Sequence, residues 1–283
     1  MSISALLVQA SQQLSAELAL PMNEARIESQ ALLRHVLDGV SRAWIILHQQ
    51  QALTHEQRGW FNELLQRRLQ GEPIAYILSR REFYGLDLAV TPDVLIPRAD
   101  TETLVDAALQ HIPLHLPCAI LDLGTGSGAI AISLALHRPQ SKVTAIDYSS
   151  AAIEVARGNA ERLGADNLQL LQSDWFGALK SLTFDVMVSN PPYIAAADPH
   201  LKLGDLRFEP LCALASGTDG LNDIRSIVAQ APAYLATKGW LLLEHGYDQA
   251  PTVANLLQAE GFEKIRHATD LAGIQRVTLG QKP

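Results

Sequence analysis

A short apolar strand running into alternate glycines constrains this chain more than any other feature. Ile120-Leu121-Asp122-Leu123 leads into Gly124-Thr125-Gly126-Ser127-Gly128, and a helix-forming stretch, Ala129–His137, follows. Glycine allows a turn that side chains forbid and lets a ligand approach the backbone. In an open α/β sheet such a strand-to-helix turn opens on the ligand crevice. Ala119–Leu123, Val143–Asp147, Leu168–Leu171, Phe184–Val188 and Trp240–Leu243 read as strands, separated by helical stretches such as Ala151–Leu163. That alternation predicts a parallel sheet with helices on both faces. Phe262–Ile265 and Gln275–Leu279 would add an antiparallel end.

The N-terminal third has a different texture. Ile3, Leu6, Leu7, Ala10, Leu14 and Leu18 recur at helical spacing, and Pro21 should stop that helix. Asn23 is expected to cap the next helix, and Thr54 with Gln57 has the spacing of a capping box. A short helix is expected at 42–47. Leu86, Leu88 and Val90 alternate as in a strand, Thr91-Pro92-Asp93 suits a turn, and Val94-Leu95-Ile96 suits a returning strand. The expected organisation is a helical substrate-recognition domain over 1–78, a β-hairpin linker over 79–98 and a cofactor-binding catalytic domain over 99–283.

Charge limits the partners. Net charge is −8, with seven basic and seven acidic residues over 1–80 and 15 against 23 over the rest. No basic run offers a groove for phosphates, so no direct nucleic-acid partner is expected. Two cysteines, Cys118 and Cys212, make no disulfide framework. No apolar run reaches the ~18 residues that span a bilayer, and the start lacks a signal-peptide pattern. A cytoplasmic monomer with no membrane association is the expectation, and no metal-ligand spacing is present.

Asp147 ends the next strand, 23 residues past Gly124. A carboxylate there suits the two hydroxyls of a ribose, so a nucleoside-bearing ligand is implied. Dinucleotide loops favour G-x-G-x-x-G, whereas this one reads G-x-G-x-G. S-adenosylmethionine has a ribose but no phosphates, and a tight turn with no ligand is the plain alternative. Ser173-Asp174-Trp175 follows the third strand. Asp174 can accept from an adenine amino group, and the Trp175 indole can cover the ring or simply pack.

Asn190-Pro191-Pro192-Tyr193 follows the strand at 184–189 and is the most specific signal. Two prolines stiffen the backbone, remove two donors and leave carbonyls free to accept. With the Asn190 side-chain oxygen they make acceptors for one –NH₂ group, and Tyr193 supplies a flat face. A planar amide nitrogen is a poor nucleophile because its lone pair is delocalised. Acceptors on its hydrogens hold it in register and favour the positive charge that grows on it.

Together these residues resemble the class I S-adenosylmethionine methyltransferases that act on planar nitrogen. Val94-Leu95-Ile96-Pro97-Arg98-Ala99-Asp100-Thr101-Glu102 is similar to the linker of the release factor glutamine methyltransferases, the HemK/PrmC family. Gly71-Glu72-Pro73-Ile74-Ala75-Tyr76, Phe83-Tyr84-Gly85, Phe208-Glu209-Pro210 and Gly217-Thr218-Asp219-Gly220-Leu221 fit the same family. The resemblance spans nearly the whole chain. It implies a Rossmann-like class I methyltransferase fold and methyl transfer to the N5 amide nitrogen of the Gly-Gly-Gln glutamine in class I peptide chain release factors. The cofactor would be S-adenosyl-L-methionine and its product S-adenosyl-L-homocysteine. On matching positions Gly124, Thr125, Gly126, Ser127, Gly128, Asp147, Asp174, Trp175 and Asn190 would hold cofactor. Asn190, Pro191, Pro192 and Tyr193 would hold the glutamine, with Asn190, Pro191 and Tyr193 catalytic. Ala99 departs from the proline common there, in the linker rather than the pocket.

Four other readings compete. They are glutamine methylation of a ribosomal protein, adenine-N6 methylation of nucleic acid, a nicotinamide-dependent oxidoreductase and a non-catalytic binding module. The linker speaks against the first, the missing basic groove against the second and the glycine spacing against the third. His245 is expected at the surface. Arg207 with Glu209, and Glu72 with Arg98, are expected to pair.

Overall fold

A computed structural model describes residues 1–179 and 182–283. The chain divides into two compact units, Met1–Ser79 with Gly204–Phe208, and Arg80–Leu203 with Glu209–Pro283.

The first unit contains helices α1 (Ile3–Leu18), α2 (Met22–Val36), α3 (Arg42–Leu47), α4 (His55–Leu69) and α5 (Ile74–Leu78). Ile3, Leu6, Ala10 and Leu14 of α1 are buried with Leu32 and Leu33 of α2 and Phe61 of α4. The spacing of these residues is the sequence cause of the bundle. The Thr54–Gln57 capping box is present in both directions. Asn23 does not cap α2, which starts one residue earlier. Pro21 is the N-cap, and its carbonyl takes the Ala25 N–H at 3.0 Å. Proline already has a fixed φ and no N–H of its own to satisfy, so the chain turns helical directly after it. Arg68 is 5% exposed yet charged. It is satisfied by Glu28 at 2.8 and 3.1 Å, Asp205 at 3.3 Å and the carbonyls of Gly71 and Glu72.

The second unit opens with a hairpin, β1 (Arg80–Phe83) and β2 (Leu86–Ala89), closed by Tyr84-Gly85. Both turn residues have positive φ, 53° and 75°. That is the two-residue turn whose twist matches the flanking strands. The expected return strand Val94–Ile96 is absent. Ile96 gives its N–H to the Glu209 carboxylate at 3.0 Å instead of to a neighbouring strand. Val94 and Ile96 are buried there, which explains their apolar character without a sheet.

The main elements then follow as α6 (Glu102–Leu109), β3 (Ala119–Leu123), α7 (Ala129–His137), β4 (Lys142–Asp147), α8 (Ser150–Leu163), β5 (Leu168–Gln172) and β6 (Phe184–Ser189). The chain ends with α9 (Asn222–Tyr234), β7 (Leu235–Glu244), α10 (Ala250–Ala259), β8 (Glu263–Thr269) and β9 (Gln275–Gln281). The seven-stranded sheet runs β5-β4-β3-β6-β7-β9-β8. β3 to β7 are mutually parallel, and β9 runs antiparallel to β7 and β8. One core lies on each face of the sheet, with Ile120, Ile130 and Leu134 in one and Leu121, Phe176 and Ile224 in the other. This is the mixed α/β, Rossmann-like arrangement expected of the second half. No helix among the described residues is long and apolar enough to cross a membrane.

Asn159 of α8 ties the hairpin to the glycine loop. Fully buried, it gives Nδ2 to the carbonyls of Ala89 and Ser127, both at 2.9 Å, and takes the Ala89 N–H on Oδ1 at 2.7 Å. Asn159→Ala strands these backbone groups in a dry site. The variant should lose roughly 2–4 kcal/mol of stability. Urea denaturation against the wild type checks this, and a loss below about 0.5 kcal/mol contradicts it.

Candidate active site

The strand order reverses between β3 and β6. β3 is followed in sequence by β4 and β5 to one side, while β6 and β7 lie to the other. Crevices at such switch points, beyond the carboxyl ends of the strands, are where open α/β sheets take ligands. A cavity of about 260 Å³ lies there, lined by Gly124, Gly126, Asp147, Asp174, Trp175, Asn190 and Pro192.

The glycine loop curls back on β4. Gly124 and Thr125 both give their N–H to the Ile146 carbonyl, at 2.9 and 2.8 Å. Gly126 has φ +56°, and the space a Cβ would occupy there is open. Conformation rather than crowding by protein therefore calls for glycine at 126, and room remains above the loop. Gly128 serves packing, since a Cβ would stand 2.8 Å from Ile132 Cδ1 and 3.2 Å from Ala156 Cβ. Thr125, Ser127 and Gly128 are absent from the cavity wall. Thr125 gives its hydroxyl to Asp122 at 2.7 Å, and Ser127 is buried.

Asp147 accepts the Gly126 N–H on Oδ2 at 2.8 Å and the Ser149 N–H on Oδ1 at 2.9 Å. Each carboxylate oxygen has a further lone pair. Burial raises the Asp147 pKa, while the N–H groups of Ser149, Gly126 and Tyr148 oppose the rise. Asp122 behind the loop is fully buried, and burial lifts it to about 7. Its Oδ1 has no hydrogen-bond partner among the described residues. Trp175 adopts φ +41°, costly for a bulky residue, and its ring lies 3.7 Å from where a Gly124 Cβ would be. Asp174 is exposed on the rim.

The second loop leaves the end of β6. Asn190 gives Nδ2 to the Thr101 hydroxyl at 3.2 Å, which leaves Oδ1 as the acceptor of that amide. Pro191 is buried and Pro192 lines the cavity. Tyr193 packs against the core and is not on the cavity wall. Its hydroxyl stands 3.5 Å from Glu244 Oε1. Burial, and next the Glu244 charge, raise the Tyr193 pKa, so it stays neutral.

Several neighbours escaped the sequence reading. Thr101 accepts from Asn190 and Glu244 from Tyr193, while Asp93, Ser149, Cys212 and Asp223 help line the cavity. Thr101 lay within a quoted motif, but nothing in its spacing assigned a contact. His245 is fully buried, not at the surface. It bonds the Gly246 carbonyl at 2.9 Å and Thr278 Oγ1 at 2.7 Å. Burial lowers its pKa, so it is a neutral structural histidine. The expected ion pairs are also exchanged. Glu209 pairs with Arg98, Glu72 with Arg67, and Arg207 gives Nη2 to the Gln70 carbonyl at 3.1 Å. Among the described residues no group of three His, Cys, Asp or Glu is placed to hold a metal.

Known proteins resemble this chain in sequence and fold. Residues 114–270 match the model of a methyltransferase domain, and residues 5–78 match a PrmC N-terminal domain. The release factor glutamine methyltransferase of Xylella fastidiosa (strain 9a5c) is 46% identical over 258 residues, 91% of this chain and 94% of that protein. That of Aliivibrio fischeri is 43% identical over 282 residues, 99% and 98% of the two chains. The crystal structure of a methyltransferase from Pyrococcus furiosus superposes with a TM-score of 0.53 at 22% identity, covering 78% of this chain and 98% of that one. It shares the sheet architecture. With identity at this level running almost end to end, the chain belongs to the family of release factor glutamine methyltransferases.

Proposed function

We infer that this chain methylates the side-chain amide nitrogen, N5, of the Gly-Gly-Gln glutamine in class I peptide chain release factors. The observation that carries this reading is the opening of the Asn190–Tyr193 loop and the glycine loop on one cavity. Family membership supplies the substrate class. A cytoplasmic site of action follows, because release factors work there.

The residues fit S-adenosylmethionine. Open space over Gly126, a carboxylate with spare lone pairs at Asp147 and an aromatic wall at Trp175 suit a nucleoside without phosphates. Gly124, Gly126, Asp147, Asp174 and Trp175, which line the cavity, would hold it, with Asn190 turned to the substrate. When bound, that cofactor supplies an electrophilic methyl group on a sulfonium.

The chain's own residues then act on the glutamine. Asn190 Oδ1 and the Pro191 carbonyl each take one N–H of the amide. Because prolines fix this loop, the acceptors need no reorganisation on binding. Their pull raises electron density on nitrogen and orients it toward the methyl donor side of the cavity. Positive charge grows on that nitrogen, so both contacts strengthen toward the transition state. No base is needed beforehand, since the proton leaves afterwards. Tyr193 stays neutral and supports the loop.

Asn190→Ala should lower methyl transfer about a hundredfold or more while cofactor affinity persists, because one preorganised contact is worth about 3–4 kcal/mol. Calorimetry beside a methyl-transfer assay separates the two effects. Parallel losses of affinity and turnover would remove Asn190 from the substrate side.

Asp147→Ala should instead weaken S-adenosylmethionine binding, since hydrogen bonds to a charged group are worth about 1.5–3 kcal/mol each. An unchanged dissociation constant takes Asp147 out of the cofactor site.

We assign residues 1–78 to recognition of the release factor. They add no candidate reacting group, and a glutamine on a mobile loop gains from binding energy spent elsewhere on the partner. A chain starting at Ser79 should keep cofactor affinity and methylate intact release factor far more slowly, once circular dichroism shows it folded. Equal kcat/KM for truncated and full chains refutes the assignment.

A further inference from the structure

An Asn190 amide can accept from a substrate only if it is turned the right way, and the residues behind it bear on that. Asn190 Nδ2 donates to Thr101 Oγ1 at 3.2 Å. Thr101, in the single turn before α6, is 4% exposed. Glu244 ends β7, one residue past the Leu243 that lies opposite Ser189, and its carboxylate faces the same hydroxyl. Glu244 is 1% exposed. Its Oε2 has no hydrogen-bond partner among the described residues. A buried carboxyl group with an orphaned oxygen costs stability, so its place beside the site calls for a reason.

The direction of the protons supplies one. An ionised carboxylate can only accept. With the Thr101 proton turned toward that carboxylate, the Thr101 oxygen is left to accept, as it does from Asn190. Only the Nδ2 side of Asn190 satisfies it, so Oδ1 faces outward. A protonated Glu244 reverses the chain. It donates to Thr101, the Thr101 proton turns to Asn190, and Asn190 then shows –NH₂ to a substrate –NH₂. Two donors face each other and the clamp is lost.

We propose that Thr101 and Glu244 are positioning residues, a polarity relay that holds the Asn190 amide acceptor-outward for the glutamine. The proposal rests on Asn190 being the substrate-amide acceptor. Groups facing Glu244 set the pH at which the relay works. Asp100 faces it from the turn before α6, Arg276 from β9 and Tyr193 from the loop after β6. Arg276 is itself held by Asp100 at 3.0 Å and Asp270 at 2.9 Å. Burial lifts Glu244 to about 7, Asp100 adds to the rise, and Thr101, Arg276 and Tyr193 oppose it. The relay is therefore intact above that pH and lost below it.

The test uses the full chain, intact release factor and S-adenosylmethionine, with cofactor affinity measured by calorimetry. Thr101→Val should lower kcat about tenfold to hundredfold, with cofactor affinity within about twofold. Thr101→Ser keeps the hydroxyl and should restore the rate. In an Asn190→Ala background, Thr101→Val should add less than about twofold. Wild-type kcat/KM, which reports the free enzyme, should fall on the acid side near pH 7, and Glu244→Gln should remove that limb. Wild-type kcat in Thr101→Val with an inactive Asn190→Ala overturns the relay and leaves the Asn190 reading standing. Thr101→Ser as slow as Thr101→Val, or an acid limb that survives Glu244→Gln, also overturns it. Full turnover by Asn190→Ala sinks the underlying reading as well.

Discussion

The parallel pairing of β3 with β6 is the constraint on which the site depends. Leu123 lies opposite Ser189 in that register, and the Ser189 hydroxyl donates to the Leu123 carbonyl at 2.7 Å. The next residues in each strand are Gly124 and Asn190. The cofactor loop and the substrate loop therefore start side by side, at a spacing set by a buried ladder and not by either loop. Parallel strands need long crossovers, and here the reversal of strand order puts those crossovers on opposite sides. The two loops diverge and leave a crevice between them. A one-residue slip of β6 would turn Ser189 and Asn190 to the wrong faces.

Rigid surroundings let the site tolerate costly groups. Asp122 and Glu244 are both buried carboxyl groups, each with an oxygen that has no hydrogen-bond partner among the described residues. Trp175 holds a left-handed φ. These features cluster at the carboxyl ends of the strands, where ligand chemistry belongs. Compensation lies in neighbouring contacts. Glu209, also buried, accepts the Ile96 N–H and pairs with Arg98. Those bonds fix the segment that carries Val94 and Leu95 to the cavity wall. Asn159 does the same for the hairpin.

How much of this was legible in the sequence depended on how local each cause was. Helix α7 and strand β3 were readable residue for residue, because periodicity and glycine act over a few neighbours. The capping box was readable for the same reason. The hairpin was misplaced because Tyr84-Gly85 lacks the Asn-Gly signature, although both residues adopt positive φ. Val94–Ile96 looked like a strand because its burial is against a carboxylate loop 113 residues away in sequence. His245 was misread because its partner Thr278 comes from an antiparallel strand 33 residues on. The ion pairs failed likewise, since a charge in sequence does not name its partner. The residues chosen for the site fall around one cavity in seven cases. Thr101 and Glu244 were silent, because hydrogen-bond direction is a property of three-dimensional neighbours.

Distance from the chemistry also explains why the second layer carries so much of the control. A substrate amide offers two identical donors, so discrimination requires acceptors and nothing else at the clamp. Proline ensures this in the backbone, since it has no N–H to present. A carboxamide side chain gives no such guarantee, because its two ends differ little in shape and oppose each other in polarity. Some neighbour must break that symmetry. A lysine or arginine would do so by donating to Oδ1, which would consume the acceptor that the substrate needs. A group that accepts from Nδ2 keeps Oδ1 available, and a hydroxyl can do so reliably only when its own proton is committed elsewhere. A buried carboxylate commits it. Placing that carboxylate behind threonine, rather than against Asn190 directly, also keeps a full negative charge out of the cavity while still favouring the positive charge that grows there.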